Sequence, residues 1–391
     1  MPPTSAGYTY GHEYLAADFD AALALHGATD DDPTSPTWVV TSLPGYPIKA
    51  SARDTDGHGT HVTGTSAGDG SGSGLTGVAP DAEIIFVKFD FEDAAGRNTD
   101  AAIIDGVAYI FKRAAALGRP AVINMSLGSD FGPHDGTSLE ERGIDALTGP
   151  GKVVVVAAGN PGANNWSQQL RWGYAMHGSG ALNVDAITLR IPPYVASATD
   201  NYAFFDVFYP AGRKCRVKVT TPSGVQYPPS GTKYKTTWTT GSPYTGFDTT
   251  SGGILVGNGG DQLGWGMTTT DHEAYIELSD YYGKLPASGT WTITLVPATS
   301  TSNCSGTFHA WYGVSGNIVK GWQAERAANP SIPSTPRFGG RESDNRVTIG
   351  TPASANRVIA VAAYMTRDEW PFAYGVQPDG VCLPEAAGLQ R

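Results

Sequence analysis

Charge is scarce in this chain: Asp, Glu, Lys and Arg make up 16% of its 391 residues, against about 25% in an average globular protein. That scarcity excludes a coiled coil and a charged disordered tail. The charge present is acidic, 26 Lys+Arg against 37 Asp+Glu for a net −11, and no basic run occurs, which counts against nucleic-acid binding. Long apolar stretches are also lacking, none approaching the roughly 18 residues that span a bilayer, so no membrane span is expected. Cysteine is limited to Cys215, Cys304 and Cys382, too few for a disulfide-built scaffold. Cys215 and Cys304 fall in one β-rich region; a bond between them and three unpaired thiols are both compatible with the sequence. The opening Met1-Pro2-Pro3-Thr4-Ser5-Ala6-Gly7 has neither a basic nor an apolar segment, so no secretory leader is expected in it.

What is abundant is glycine and proline, 50 and 27 residues, the composition of a turn-rich globular protein. At about 100–200 residues per domain, the length suggests two or three domains. A short helical pattern runs from Tyr14 to His26, with Gly27 to stop it. From Glu83 to Ala158 the hydrophobic period alternates between strand and helix. Ile84-Ile85-Phe86-Val87 reads as a buried strand, and Thr99–Leu117 as a helix with Ile103, Ile104, Val107, Ile110, Phe111, Ala114 and Leu117 on one face. Ala121–Met125 is the next strand. Ser138–Leu147 is a helix opened by a capping box, Ser138 with Glu141. Lys152–Ala158 is a strand apolar enough for burial on both faces. This order predicts an α/β fold with a doubly wound parallel sheet.

After about residue 172 short β-forming runs recur without helices: Phe204–Tyr209, Cys215–Thr220, Gly253–Val256, Ala274–Leu278, Thr290–Val296 and Phe308–Tyr312. That spacing predicts a β-sandwich or jelly roll. The first style returns near residue 347, with Arg357–Ala363 as a further buried strand. The expected organisation is therefore residues 1–172 for the first part of an α/β domain, 173–316 for an inserted β module, and 317–391 for the α/β domain resumed.

Three segments carry chemistry. Asp56-Gly57-His58-Gly59-Thr60-His61-Val62-Thr63-Gly64 resembles the histidine motif of the subtilisin-like serine proteases, the subtilase family. There the first histidine is the general base, a role suited to the side chain whose ordinary pKa lies nearest neutrality. Asn124-Met125-Ser126-Leu127-Gly128 resembles the family's substrate-aligning strand edge, against which an extended peptide pairs through its backbone. Ala157-Ala158-Gly159-Asn160 resembles its oxyanion segment, in which an asparagine amide donates to the oxygen that turns negative in the tetrahedral intermediate. A weaker fourth likeness is Val347–Ala355 leading into Arg357–Ala363. The plainer account of each segment alone is a capping histidine, a buried strand ending in a glycine turn, and a turn asparagine. A zinc site through His58 and His61 beside Asp54 and Asp56 is the rival chemistry; no distant His/Cys cluster supplies further ligands.

The resemblance implies a subtilisin-like doubly wound parallel sheet interrupted by an all-β jelly roll, and a serine endopeptidase acting through an acyl-enzyme. It implies His58 and Asn160 as catalytic residues, and Ser126, Leu127, Gly128, Ala158 and Gly159 as substrate-binding ones. No cofactor is required for such chemistry, and structural calcium is common in the family, with no ligand set to nominate here. The partner implied is a polypeptide, met outside the cell or in its envelope. Two parts of the family's pattern are not found. No aspartate follows an apolar strand before His58, and Gly-Thr-Ser-Met-Ala does not follow Asn160. Gly64-Thr65-Ser66 and Gly136-Thr137-Ser138 precede it, and Ser354 lacks the motif. The sequence therefore reads as a subtilase fragment with the base and an oxyanion donor but neither triad Asp nor Ser, inactive alone. The alternative is a pseudoprotease that binds peptides without cleaving them.

Overall fold

The computed structural model describes residues 7–8, 10–26, 54, 56–71, 74–89, 100–159, 173–196, 201–228, 244–258, 271–280, 283–329, 331, 336–344 and 347–362. By internal packing the chain divides into one unit of residues 1–126 and 150–152 and another of residues 127–149 and 153–391.

The first unit contains helices α1 (Ala16–His26), α2 (His58–Ala67) and α3 (Asp100–Ala116) and strand β1 (Ala121–Met125). Helix α3 follows the apolar stripe: Val107, Phe111 and Ala114 are buried. Gly118 closes it at φ 65°, a left-handed conformation that glycine adopts without steric cost. The segment before α1 is tied to α3 through Glu13, which accepts from Tyr109 Oη at 2.7 Å and pairs with Arg113 Nε at 3.2 Å. The expected strand at Ile84–Val87 is not formed. Those residues have no regular secondary structure, and Ile84 and Phe86 are 56% and 55% exposed. An apolar run becomes a strand only where a neighbour takes its backbone groups, and among the described residues none does. Phe86 packs on α2 instead, its ring so near Gly59 that a Cβ there would lie 3.2 Å away.

The second unit begins with α4 (Leu139–Leu147), whose capping box forms as expected. Glu141 N–H donates to Ser138 Oγ at 3.2 Å and Ser138 N–H donates to Glu141 Oε2 at 3.0 Å. Strand β2 (Lys152–Ala157) follows, and β15 (Ile359–Val361) pairs with it in parallel, Ile359 opposite Val155 and Val361 opposite Ala157. Burial on both faces does not hold. Val154 and Val156 are fully buried, whereas Val153 and Val155 are only half-buried and Ile359 and Val361 are exposed. A parallel strand is buried twice only when layers cover both sides of its sheet.

Between these strands lies the β module: β3 (Gly173–Ala181), β4 (Ile187–Ile191), β5 (Tyr202–Pro210), β6 (Cys215–Thr220), β7 (Gln226–Tyr227), β8 (Tyr244–Thr249), β9 (Gly252–Asn258), β10 (Asp271–Ser279), β11 (Gly289–Pro297) and β12 (Thr307–Val314), then helix α5 (Gly316–Ala328) and the short β13 (Arg337–Phe338) and β14 (Arg341–Glu342). Among the described residues they form two six-stranded sheets, ordered β3-β12-β5-β10-β9-β8 and β14-β13-β4-β11-β6-β7. The β5·β10, β5·β12 and β4·β11 pairs are antiparallel. Alternate residues of the strands, among them Phe205, Val207, Ile276, Trp291 and Phe308, fill one core, as facing sheets of a sandwich do. Cys215 and Cys304 are bonded, with Cα atoms 5.1 Å apart. Cys382 lies outside the described residues.

Strand β5 is buried along both faces. Of its outward residues, Phe204 and Asp206 meet the loop after residue 128, Phe131 stacking on Phe204 with ring centroids 4.9 Å apart and Gly132 N–H reaching Asp206, while Phe208 lies edge-on to Trp311.

Candidate active site

His58 is the first residue of α2, and it is exposed. Asp54 fixes the turn that presents it. Its carboxylate accepts Gly57 N–H at 2.8 Å, Thr60 N–H at 2.7 Å and Thr60 Oγ1–H at 2.7 Å. The Thr60 hydroxyl, followed by the backbone donors, holds this carboxyl far below the ordinary aspartate range. Gly57 makes the turn at φ 90°. The start of the helix, with Gly57 as its N-cap, is thus tied down by Asp54 from three residues upstream, and His58 is exposed beside it. His61, one turn on, is also exposed. Asp54 is taken up by the turn, and among the described residues no group of three or more His, Cys, Asp or Glu is placed to hold a metal ion.

Of the substrate-edge residues, Ser126 belongs to the first unit and Leu127 and Gly128 to the second. Ser126 Oγ accepts from Asn124 Nδ2 at 3.1 Å. Beyond Gly128 the chain forms a two-way backbone bridge: Ser129 N–H donates to Thr351 O at 2.8 Å and Thr351 N–H to Ser129 O at 2.9 Å. Gly128 is required there, since a Cβ would fall 2.8 Å from Thr351 O. In the other segment Ala158 N–H donates to Val361 O at 2.9 Å and Ala158 O accepts Gly350 N–H at 3.1 Å. Gly159 then turns the chain at φ 93°. Asn160 lies outside the described residues. Within the second unit, Ser129, the residue after the expected substrate edge, and Ala158 are therefore both bonded to one short stretch, Gly350–Thr351. Sequence reasoning had that stretch only as the weak fourth likeness.

The serines considered as nucleophiles have other duties. Ser66 Oγ donates to Val62 O within α2, Ser138 caps α4, and Ser354 Oγ donates to Glu141 Oε1.

A buried polar patch next to the edge escaped the sequence reading. Asp206 accepts Gly132 N–H on Oδ2 at 3.0 Å, and Glu273 lies beside it on β10. Burial pushes both carboxyls well above their ordinary range, and mutual repulsion pushes Glu273 higher still. Asp130 is raised to about 6 by burial alone. His134 stacks on Trp311 at 4.3 Å and sits between two carbonyls, Nδ1 2.7 Å from Ile349 O and Nε2 3.1 Å from Asp130 O. Burial lowers its pKa, and those two carbonyls oppose the shift. The one signal available was an aspartate inside the apolar run Tyr-Ala-Phe-Phe-Asp-Val-Phe-Tyr of β5.

A model described as the subtilase family matches residues 7–252. Subtilisin BL of Lederbergia lenta is 38% identical over 134 residues, 34% of this chain and 45% of that protein. The major intracellular serine protease of Bacillus subtilis is 40% identical over 110 residues, 28% of this chain and 31% of that protein. Among solved structures, the Clostridium perfringens CspB protease matches over 80% of this chain and 56% of its own, with a TM-score of 0.52 and 24% identity, a likeness of fold. The match spans less than half the length of these two curated relatives.

Proposed function

The chain belongs to the subtilase family, and from that premise we propose that it supplies the general base and the substrate-aligning elements of a serine endopeptidase. In this reading His58 takes the proton of a serine hydroxyl as it attacks the scissile carbonyl and returns it to the leaving amine. The Asn160 amide donates to the developing oxyanion, a contact whose loss costs about 10²–10³ in turnover. Ser126, Leu127 and Gly128 hold the substrate extended, and Ala158 and Gly159 shape the opposite wall. Neither nucleophile nor orienting aspartate is assigned to a residue of this chain. The division into residues 1–172, 173–316 and 317–391 belongs to the same proposal, as does a structural calcium without a nominated ligand set.

The observation that carries the proposal is the placement of the histidine motif. A turn held by the Asp54 carboxylate leaves His58 exposed at the head of its helix. The substrate is a polypeptide outside the cell or in the envelope, a setting where broad proteolysis is harmless to the producer. One matched relative is by its name intracellular, so the family alone does not dictate the compartment. A second reading is a peptide-binding protein without catalysis, in keeping with the engagement of Ser354 by Glu141.

The test is labelling with a fluorophosphonate probe together with a casein digestion assay. The polypeptide alone is expected to take up no label and to release casein fragments orders of magnitude more slowly than a complete subtilisin, because without its serine a triad enzyme retains only residual catalysis, about 10³–10⁴ over water. Stoichiometric label on any serine contradicts this.

A further inference from the structure

The stretch Val347–Thr351 is joined to both walls of the proposed groove and to the inserted sandwich, although the sandwich separates it from Gly159 in sequence. Toward the groove it holds Ser129 through Thr351, by bonds of 2.8 and 2.9 Å, and Ala158 through Gly350 at 3.1 Å. Toward the sandwich it is held by side chains. Trp311 Nε1–H donates to Val347 O at 2.8 Å, and His134, stacked on Trp311, reaches Ile349 O at 2.7 Å. Thr351 Oγ1–H donates to Phe131 O at 3.2 Å. Phe131 lies against Phe204, and the next residue, Gly132, gives its N–H to Asp206.

The backbone carries a second, independent mark. Val347 has φ 54° and His134 φ 56°, two of only three non-glycine residues with positive φ among those described. A β-branched residue in that region is strained by about 1–3 kcal/mol and stays there only when its surroundings over-determine it. Val347 and Ile349 are themselves 50% and 47% exposed, so apolar burial does not fix them. Polar anchors from the sandwich and its covering loop do.

We propose that Val347–Thr351 is a brace that sets the spacing between the substrate edge and the oxyanion turn, and that Trp311 and Asp206 of the sandwich are the positioning residues that hold it, one directly and one through the loop at 129–136. The inserted module is thereby part of the groove's support. The assignment rests on the peptidase reading for what the two walls do, and on geometry alone for the brace. Groups that align a reacting centre need such support, since a displacement of about 1 Å can cost about 10²-fold.

The test uses the chain with Trp311→Phe, which keeps the stack on His134 but removes the indole donor, and with Asp206→Ala and Asp206→Asn. Asparagine retains an oxygen for Gly132 N–H; alanine does not. Amide exchange is read at Ser129, Gly350 and Thr351, the three brace amides, with β5 and β10 as internal reference, and affinity for fluorescein-labelled casein is read by anisotropy. Trp311→Phe and Asp206→Ala are expected to speed exchange of the brace amides about tenfold or more while the reference strands hold, and to weaken casein binding about tenfold. Asp206→Asn is expected to restore both. Unchanged brace exchange in folded Trp311→Phe overturns the proposal, as does faster exchange with casein affinity unaltered. If the parent chain binds no casein but the brace amides respond, the peptidase reading fails and the brace stands.

Discussion

Breaking the Cys215–Cys304 bond is expected to produce the largest loss of stability available from a single covalent change. The bond closes a loop of sequence separation 89, for which chain-entropy arguments give about 4–5 kcal/mol and typical native disulfides about 2–4 kcal/mol. It joins the start of β6 to the approach to β12, strands of opposite sheets, so its loss acts on the sandwich as a whole. At about 2–4 °C per kcal/mol for a large domain, the double variant Cys215→Ala/Cys304→Ala should melt about 5–15 °C lower by calorimetry. A melting temperature unmoved within a degree or so would show that the sandwich core alone fixes the module.

The second large effect is a change in pH dependence on replacing Glu273 with glutamine. Asp206 and Glu273 are buried beside each other; burial raises both carboxyls above their ordinary range, and the neighbouring Asp206 pushes Glu273 higher still, while hydrogen bonds from Gly132 and Glu273 oppose the rise at Asp206. The same sheet face carries Asp271 and Tyr275 on β10, His309 on β12 and His177 on β3, and the covering loop adds Asp130, His134 and Asp135. A group whose folded pKa is raised contributes stability that is fully present below its unfolded pKa and is lost as pH rises through the folded value. For Glu273 that window opens near pH 4.5 and extends into the alkaline range, with each proton worth up to about 1.4 kcal/mol per pH unit. Glu273→Gln is neutral at every pH and nearly the shape of the protonated acid. It should match the parent near pH 4 and become progressively more stable than it from about pH 5 upward in urea melts. Parallel stability curves for the two proteins from pH 5 to 9 would contradict a protonated pair.

Local signals survived into the structure. The apolar stripe of α3, its Gly118 stop and the Ser138–Glu141 box depend on residues a few positions apart, and such patterns are legible without knowing the fold. The bond between Cys215 and Cys304, one of two arrangements the sequence allowed, was decided by β6 and β12. What was not legible depends on distant neighbours. β3 reads Gly-Tyr-Ala-Met-His-Gly-Ser-Gly-Ala, with few β-forming residues. It is a strand because β12 pairs with it and because Gly178 and Gly180 leave room for the rings of Phe338 and Phe308. Ile84–Val87 shows the converse, a strand-like run with no strand beside it among the described residues.

The candidate site divides the same way. His58 and the Ala158–Gly159 turn were visible because short motifs encode them. The brace at 347–351 and the Asp206–Glu273 pair were not, because their partners lie far away in sequence: Trp311, 36 residues from Val347, and Gly132, 74 residues from Asp206. An aspartate in an apolar strand shows that a polar partner exists and not which one it is.

The most direct measurement is amide exchange of the chain with and without unlabelled casein. The account requires casein to protect the amides of Ser126, Leu127 and Gly128, since an extended polypeptide paired to that edge takes up its backbone groups. Binding with protection confined to the sandwich strands, or no protection anywhere, would contradict a peptide-aligning groove in this protein.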